Sequence, residues 1–359
     1  MKKMKRICCF TDCLGSGGAQ RQLVGLACLL KERGYDVTML VYYDIPFYKS
    51  QLDEAEVPYV VVGNTRNPIK RIWNLYKYWK AHPAEVVIAY QETPSVIACL
   101  LRPLLHWTKL IVSERNTTQH ITLKDKVRFA LWRFADFIVP NSHAQTDFIK
   151  ANQPRYIDKV FTITNFTDTD YFVPAKCRDM VHPNNVIAVV ASAKPEKNFH
   201  RFVQAVELIK KRGYKIRVRW CGINPPMLAE FKSYVQGLNM SDCVDVLPSQ
   251  KDVATVLQNA DFFSLPSLFE GFPNALCEAM SCGLPVACSR VCDNPILVAD
   301  GENGFLFSPD NVADIADAMC RLLDLSEEQY KTMSSKNREK AVSILSKQKF
   351  VDQYTLIIE

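Results

Sequence analysis

Glu270 and Glu278 stand eight positions apart in the stretch 264–285, SLPSLFEGFPNALCEAMSCGLP. Phe262, Phe263 and Leu265 read as the end of a buried strand, followed by a tight turn and a helix. Gly271 lets the backbone come close to a ligand without a side chain in the way. Pro273 suits the first helical position, where its missing N–H costs nothing. The N–H groups just behind it would face an incoming anion. The spacing puts Glu278 about one and a half turns into that helix. Two carboxylates around an exposed helix start suit a ligand with hydroxyls at both ends and phosphate between them, the description of a nucleotide sugar.

The local words are more specific than the spacing. Glu270-Gly271-Phe272-Pro273-Asn274, Glu278-Ala279-Met280 and Gly283-Leu284-Pro285-Val286 resemble the donor-binding block of glycosyltransferase family 4. These are retaining sugar transferases of the GT-B fold, two Rossmann-like domains facing a cleft. The resemblance implies that Glu278 binds the ribose and Glu270 holds sugar hydroxyls near the reacting carbon. Backbone N–H groups around Phe272, Pro273 and Asn274, with Lys197, would stabilise charge on the departing diphosphate. It further implies no divalent metal, no cofactor beyond the nucleotide-diphosphate sugar itself, and no dedicated base, the leaving phosphate taking the acceptor proton. No Asp-x-Asp triplet is read in the sequence that could bind a divalent metal. Relatives with these words often build capsule, O-antigen or exopolysaccharide on polyprenyl-diphosphate-linked glycans at the inner face of the cytoplasmic membrane.

Other stretches are read through the same resemblance. Gly15-Ser16-Gly17-Gly18-Ala19-Gln20 follows a first strand and opens a helix. It lacks the third glycine of a dinucleotide fingerprint and the Gly-Lys-Ser/Thr of a P-loop. It is similar to the family's first turn, which places Gly17 and Gly18 under the acceptor and beside the donor phosphates; the plain alternative is a turn that needs positive φ. Ser113-Glu114-Arg115-Asn116 ends a strand where many relatives carry a histidine. Arg115 could hold phosphate or acceptor hydroxyls, or form a salt bridge with Glu114 or another acid. In Lys194-Pro195-Glu196-Lys197-Asn198, Lys197 matches the family's diphosphate-binding lysine, Ser192 stands at the arginine position, and Lys194 could compensate. Asn165-Phe166-Thr167-Asp168 resembles the closing turn of the first domain, with Phe166 in place of glycine.

The elements that must position these residues alternate strand and helix throughout, which argues for parallel sheets covered on both faces. At 359 residues the chain accommodates two such domains. Residues 1–172 are expected to form an acceptor-side domain, 173–185 a linker, 186–335 the nucleotide-sugar domain, and 336–359 a helix crossing back to the first. A strand is expected at 160–163. In the segment 68–83, Ile69, Ile72, Trp73, Tyr76 and Trp79 recur at helical spacing beside Lys70, Arg71, Lys77 and Lys80. A stripe packed on the first sheet is the preferred reading; an interfacial helix on anionic lipid is the sharper one. Residues 124–133 are a second basic stretch of the same kind.

Charge and composition bound the rest. The net charge of +6 divides into 25 Lys+Arg against 17 Asp+Glu up to residue 180, and 19 against 21 after it. That asymmetry suits an anionic partner such as a membrane surface, and nothing in the chain points to nucleic acid. No apolar run reaches membrane-spanning length, and the basic start reads as a strand rather than a signal peptide, so a cytoplasmic protein is expected. Thirteen cysteines, odd in number and without Cys-x-x-Cys spacing, read as buried reduced thiols rather than a metal site. The competing functions are a transferase with a soluble acceptor, a sugar-nucleotide-binding scaffold, and a Rossmann oxidoreductase, which lacks its fingerprint.

Overall fold

The computed structural model describes residues 4–115, 118, 120–175, 185–250 and 252–359. The chain forms two compact units, Met1–Phe166 with Lys347–Glu359, and Thr167–Ser346. The first alternates β1 (Arg6–Thr11), α1 (Gly18–Glu32), β2 (Asp36–Val41), α2 (Lys49–Glu54), β3 (Tyr59–Val61), α3 (Pro68–Ala81), β4 (Val86–Tyr90), α4 (Glu92–Leu101), β5 (Lys109–Glu114), α5 (Leu123–Leu131), β6 (Phe137–Pro140) and α6 (His143–Asn152). Its sheet is parallel, in the order β3-β2-β1-β4-β5-β6. The apolar strands bury both faces. One carries Phe10, Leu75 and Trp79 with α3, α4 and α5; the other carries Ile7, Leu23 and Leu26 with α1 and α2.

The second unit repeats the plan with β7 (Val186–Val190), α7 (Phe199–Lys211), β8 (Arg217–Ile223), α8 (Pro225–Gly237), β9 (Val244–Pro248), α9 (Val253–Gln258), β10 (Phe262–Leu265), α10 (Asn274–Ser281), β11 (Val286–Ser289), α11 (Asn294–Leu297), β12 (Gly304–Phe307), α12 (Val312–Leu323) and α13 (Glu327–Ile344). Its strand order is β12-β11-β10-β7-β8-β9, again all parallel. A last helix, α14 (Lys347–Ile358), belongs to the first unit.

Three expectations change. The boundary falls after Phe166, not at 172, because the following segment is bonded into the second unit. Thr167 N–H donates to Leu345 O at 2.9 Å, Phe172 is buried in that unit's core, and the Arg338 guanidinium donates to the carbonyls of Thr169, Phe172 and Ser281 at 2.9 Å each. Of the expected linker, residues 176–184 lie outside the described residues. The expected returning segment 336–359 splits. Asn337, fully buried, donates to Leu284 O at 2.8 Å and Asn303 O at 2.7 Å, so α13 stays in the second unit and α14 alone returns. The expected strand at 160–163 shrinks to one bridge, Val160 with Ile138 beyond β6, after a 3-10 turn at Pro154–Lys159.

Arg6–Thr11, where the basic start gives way to apolar residues, is the strand β1, paired on both sides. The twelve described cysteines are free thiols and most are buried, with Cys177 outside the described residues. Burial pushes the thiols of Cys28 and Cys221 up to about 11. Among the described residues no helix is long and apolar enough to cross a membrane.

Candidate functional site

In a doubly wound sheet the ligand crevice opens where the strand order reverses, at the carboxyl ends of the strands. In the second unit that point lies between β7 and β10, which pair in parallel. Lys197 follows β7 in a short 3-10 turn, Pro195–Lys197, and Glu270 follows β10. The sheet therefore delivers both to one place. Lys197 Nζ lies 2.6 Å from Glu270 Oε1, with the two side chains 20% and 10% exposed.

Four residues that the sequence reading did not single out, Ser267, Asn198, Leu268 and Cys292, hold this pair. The buried Ser267 hydroxyl donates to the same Glu270 oxygen at 2.6 Å. Asn198 takes the left-handed conformation (φ 60°) and its carboxamide donates to Pro266 O at 3.1 Å and Pro309 O at 2.7 Å. Leu268 N–H donates to Glu196 O at 2.8 Å, so the two loops are bonded along their backbones as well. Cys292 Sγ accepts the Glu270 N–H at 3.4 Å, and burial pushes its thiol pKa up. Asparagine is a non-glycine residue that tolerates positive φ, a signal legible at Asn198. Cys292, distant in sequence, had none.

The helix start differs from expectation. Pro273 is the N-cap of α10, not its first residue, with φ −82° and ψ 74°. These angles make an inverse γ-turn in which Asn274 N–H donates to Phe272 O at 2.9 Å. The Asn274 N–H is thus turned onto its own loop. The first bond into the helix is Cys277 N–H to Pro273 O at 3.1 Å, which leaves the N–H groups of Ala275 and Leu276 at the open end. Phe272 packs its ring in the core, so it meets a ligand through backbone alone, beside the half-exposed Gly271. Glu278 is buried on α10; its charge adds to Asp252 and, above all, partial burial in pushing the Tyr171 hydroxyl pKa up.

Lys194 is 70% exposed and 3.9 Å from Glu196, outside the Lys197–Glu270 pair. The chain does hold one Asp-x-Asp triplet, Asp168-Thr169-Asp170, which the sequence reading passed over. Asp168 Oδ1 accepts the N–H groups of Asp170 and Tyr171 at 3.3 Å each, closing a turn.

In the first unit the reversal lies between β1 and β4. Gly17 caps α1 and Gly18 begins it, and neither has positive φ, so the plain alternative of a positive-φ turn does not describe them. A Cβ at Gly17 would meet Gln20 Oε1, the far end of a flexible side chain that can turn away. Across the reversal Gln91 has φ 73° and ψ 166°, a region that ordinarily belongs to glycine, and its Oε1 accepts from Thr11 Oγ1 at 3.1 Å.

Arg115 is committed inward rather than toward a ligand. It donates to Asn165 Oδ1 at 2.7 Å and Tyr354 Oη at 2.8 Å, and its guanidinium carbon lies 3.7 Å from the Tyr90 ring centroid. Its neighbour Glu114 pairs instead with Arg128, at 3.1 Å, and Arg128 also meets Glu92 and Asp125 at 2.9 Å each. Asn116, the end of that motif, lies outside the described residues.

A family model described as Glycosyl transferases group 1 matches residues 179–340, and one described as Glycosyltransferase Family 4 matches residues 16–171. The chain is 24% identical, over 94% of its length and 96% of the relative's, to the N-acetylgalactosamine-N,N'-diacetylbacillosaminyl-diphospho-undecaprenol 4-alpha-N-acetylgalactosaminyltransferase of Campylobacter jejuni. It is 28% identical, over 55% of its length and 54% of the relative's, to the UDP-Gal:alpha-D-GlcNAc-diphosphoundecaprenol alpha-1,3-galactosyltransferase of Escherichia coli. The crystal structure of Anabaena HepE with UDP and glucose matches the fold with a TM-score of 0.84 at 18% identity, covering 99% of each chain. The two family models, the full-length relative and the paired parallel sheets agree: the chain belongs to glycosyltransferase family 4, has the GT-B fold, and is a glycosyltransferase.

Proposed function

We propose that this protein is a retaining, metal-independent hexosyl- or N-acetylhexosaminyl-type transferase. It moves a sugar from a nucleotide-diphosphate donor to a glycan on a polyprenyl diphosphate, in the assembly of a surface polysaccharide at the inner membrane face. The observation that carries the reading is the Lys197–Glu270–Ser267 arrangement at the reversal point of the second sheet.

An ammonium has three donors, so Lys197 can hold Glu270 and a diphosphate oxygen together. Glu270, fixed by two donors on one oxygen, accepts from sugar hydroxyls beside the anomeric carbon. Glu278 is assigned to the ribose, and the open N–H groups of Ala275 and Leu276 add partial positive charge for the diphosphate. Lys197 and this helix end supply the stabilisation that a divalent metal would otherwise give. The bond from the anomeric carbon to the diphosphate oxygen breaks, and the bond to the acceptor oxygen forms on the same face. The acceptor proton passes to the departing diphosphate, so no side-chain base is required. The alpha-linked products named for the relatives agree with retention from an alpha-linked donor. Their diphospho-undecaprenol acceptors support the lipid-linked assignment.

The test is transfer from a panel of nucleotide sugars to washed membranes or lipid extract, against soluble glycans, with and without a chelator. Sugar incorporated into lipid, unaffected by chelation, with the donor's anomeric configuration kept, is the expected result. Loss of turnover on chelation, or inversion, overturns the mechanism; transfer to soluble glycans alone overturns the acceptor. Tight donor binding without turnover makes the chain a scaffold.

A further inference from the structure

Helix α3 buries less of its apolar stripe than its spacing leads one to expect. Leu75 and Trp79 are fully buried against the first sheet, and Ile72 and Tyr76 are half-buried. Ile69 and Trp73 remain 79% and 53% exposed. Trp73 stands two residues from Leu75, about 200° around the helix, so both cannot reach the sheet. Its ring stacks on Tyr76 at 5.6 Å, with Lys77 Nζ 5.2 Å from the Trp73 centroid and Lys80 Nζ 5.8 Å from that of Tyr76.

The segment that carries this strip has charge of one sign. Residues 57–84 contain no Asp or Glu but hold Arg66, Lys70, Arg71, Lys77 and Lys80. Arg71 is spent inward, on Tyr43 Oη and Thr65 O; the other four are exposed. Helix α5 adds Leu123 (77% exposed) and Val127, with exposed Lys124 and Lys126, on the same face of the sheet.

We infer that α3, supported by α5, is a docking surface for an anionic lipid bilayer. Ile69 and Trp73 enter the headgroup layer one turn apart, and Arg66, Lys70, Lys77 and Lys80 reach the lipid phosphates around them. The indole, half apolar and half polar, suits that depth. A second copy of the chain fits poorly, because a two-fold contact sets each lysine-rich strip against its own like charge. The inference gives the lipid-linked acceptor reading its surface and rests on that reading for its setting. Acceptor-free vesicles test it separately.

The experiment is flotation of the full chain with phosphatidylcholine vesicles, with and without phosphatidylglycerol and free of polyprenyl lipid. Binding should require phosphatidylglycerol and weaken with salt. Ile69→Ser with Trp73→Ser, and Lys70→Glu with Lys77→Glu, should each reduce it by about tenfold or more. Melting temperature and Glu270-dependent donor turnover should not move, which shows that the fold and the sugar site are intact. Absence of vesicle binding, equal binding to neutral vesicles, or binding unchanged in both variants overturns the proposal. A dimer in light scattering that the Ile69→Ser, Trp73→Ser variant abolishes would assign the strip to a second copy instead. Loss of turnover in Glu270→Ala with docking intact separates this result from the fate of the transferase mechanism.

Discussion

Lys197 and Glu270 are 73 residues apart in sequence and 2.6 Å apart in space, on loops that leave adjacent parallel strands. A pair that acts as one unit on a transition state does not respond additively to mutation. Glu270→Ala and Lys197→Ala should each lower kcat/KM by about 100- to 1,000-fold, and the double variant by little more than the worse single one. Steady-state kinetics on the four proteins measures the coupling, and fully multiplicative losses would show that the two act separately.

Ser267 contributes orientation rather than charge. Its hydroxyl and the Lys197 ammonium converge on one carboxylate oxygen of Glu270, which limits rotation of that group. Ser267→Ala should lower kcat/KM by about tenfold while costing roughly 1 kcal/mol in urea unfolding. Unchanged kinetics would leave Ser267 a purely structural hydroxyl.

Arg115 is a fastener for α14. Its replacement by alanine leaves Asn165 Oδ1 without this donor, deprives Tyr354 Oη of it, and removes the cation from the Tyr90 ring. A loss of about 3 kcal/mol is expected, with faster amide exchange across α14 and an unchanged donor KM. A raised donor KM at full stability would return Arg115 to the list of substrate contacts.

Glu114 gives the first unit a pH-dependent stability. Burial raises its pKa from 4.5 to about 7, against the pull of Arg128 and with Glu92 and Asp125 pushing the same way. Between these values the folded chain keeps a proton that the unfolded chain has released. The associated stability is full below pH 4.5 and is lost as pH rises through about 7, a change of about 3 kcal/mol. Glu114→Gln cannot ionise, so its urea midpoint should fall less between pH 5 and pH 8 than that of the parent.

Gln91 should reverse the usual ranking of alanine over glycine. Its φ of 73° with ψ of 166° costs any residue with a Cβ about 1–3 kcal/mol. Gln91→Gly should therefore be more stable than Gln91→Ala by about 1–2 kcal/mol, by chemical denaturation of both variants. The opposite order would place the strain elsewhere.

The alternation of elements and the donor block were legible in sequence because each depends on local signals: apolar runs of strand length, turn residues, and a glycine-proline helix start. The Lys197–Glu270 pair could be anticipated residue by residue, but not as a contact, since it depends on β7 and β10 being neighbours across the reversal. Pro273 was misplaced by one position because the γ-turn is visible in its ψ, not in its identity. Phe166 was noted as a departure from glycine, yet its accommodation lies at Gly25 on α1, where a Cβ would collide with the Phe166 ring. Helical spacing on α3 identified one stripe where the fold uses two faces, because period alone does not say how wide a strip the sheet can cover.

The return of α14 to the first unit gives the order of synthesis a physical meaning. Tyr354 meets Tyr90 Oη to Oη at 2.8 Å, and the Phe350 ring lies tilted against Phe166 at 5.0 Å, so the core of the first unit includes side chains translated after the whole of the second. Until α14 is made, the first unit lacks one wall of its core. Stop codons that remove α14 would therefore injure the part of the protein made first, and chaperones would meet that part open until the helix is added.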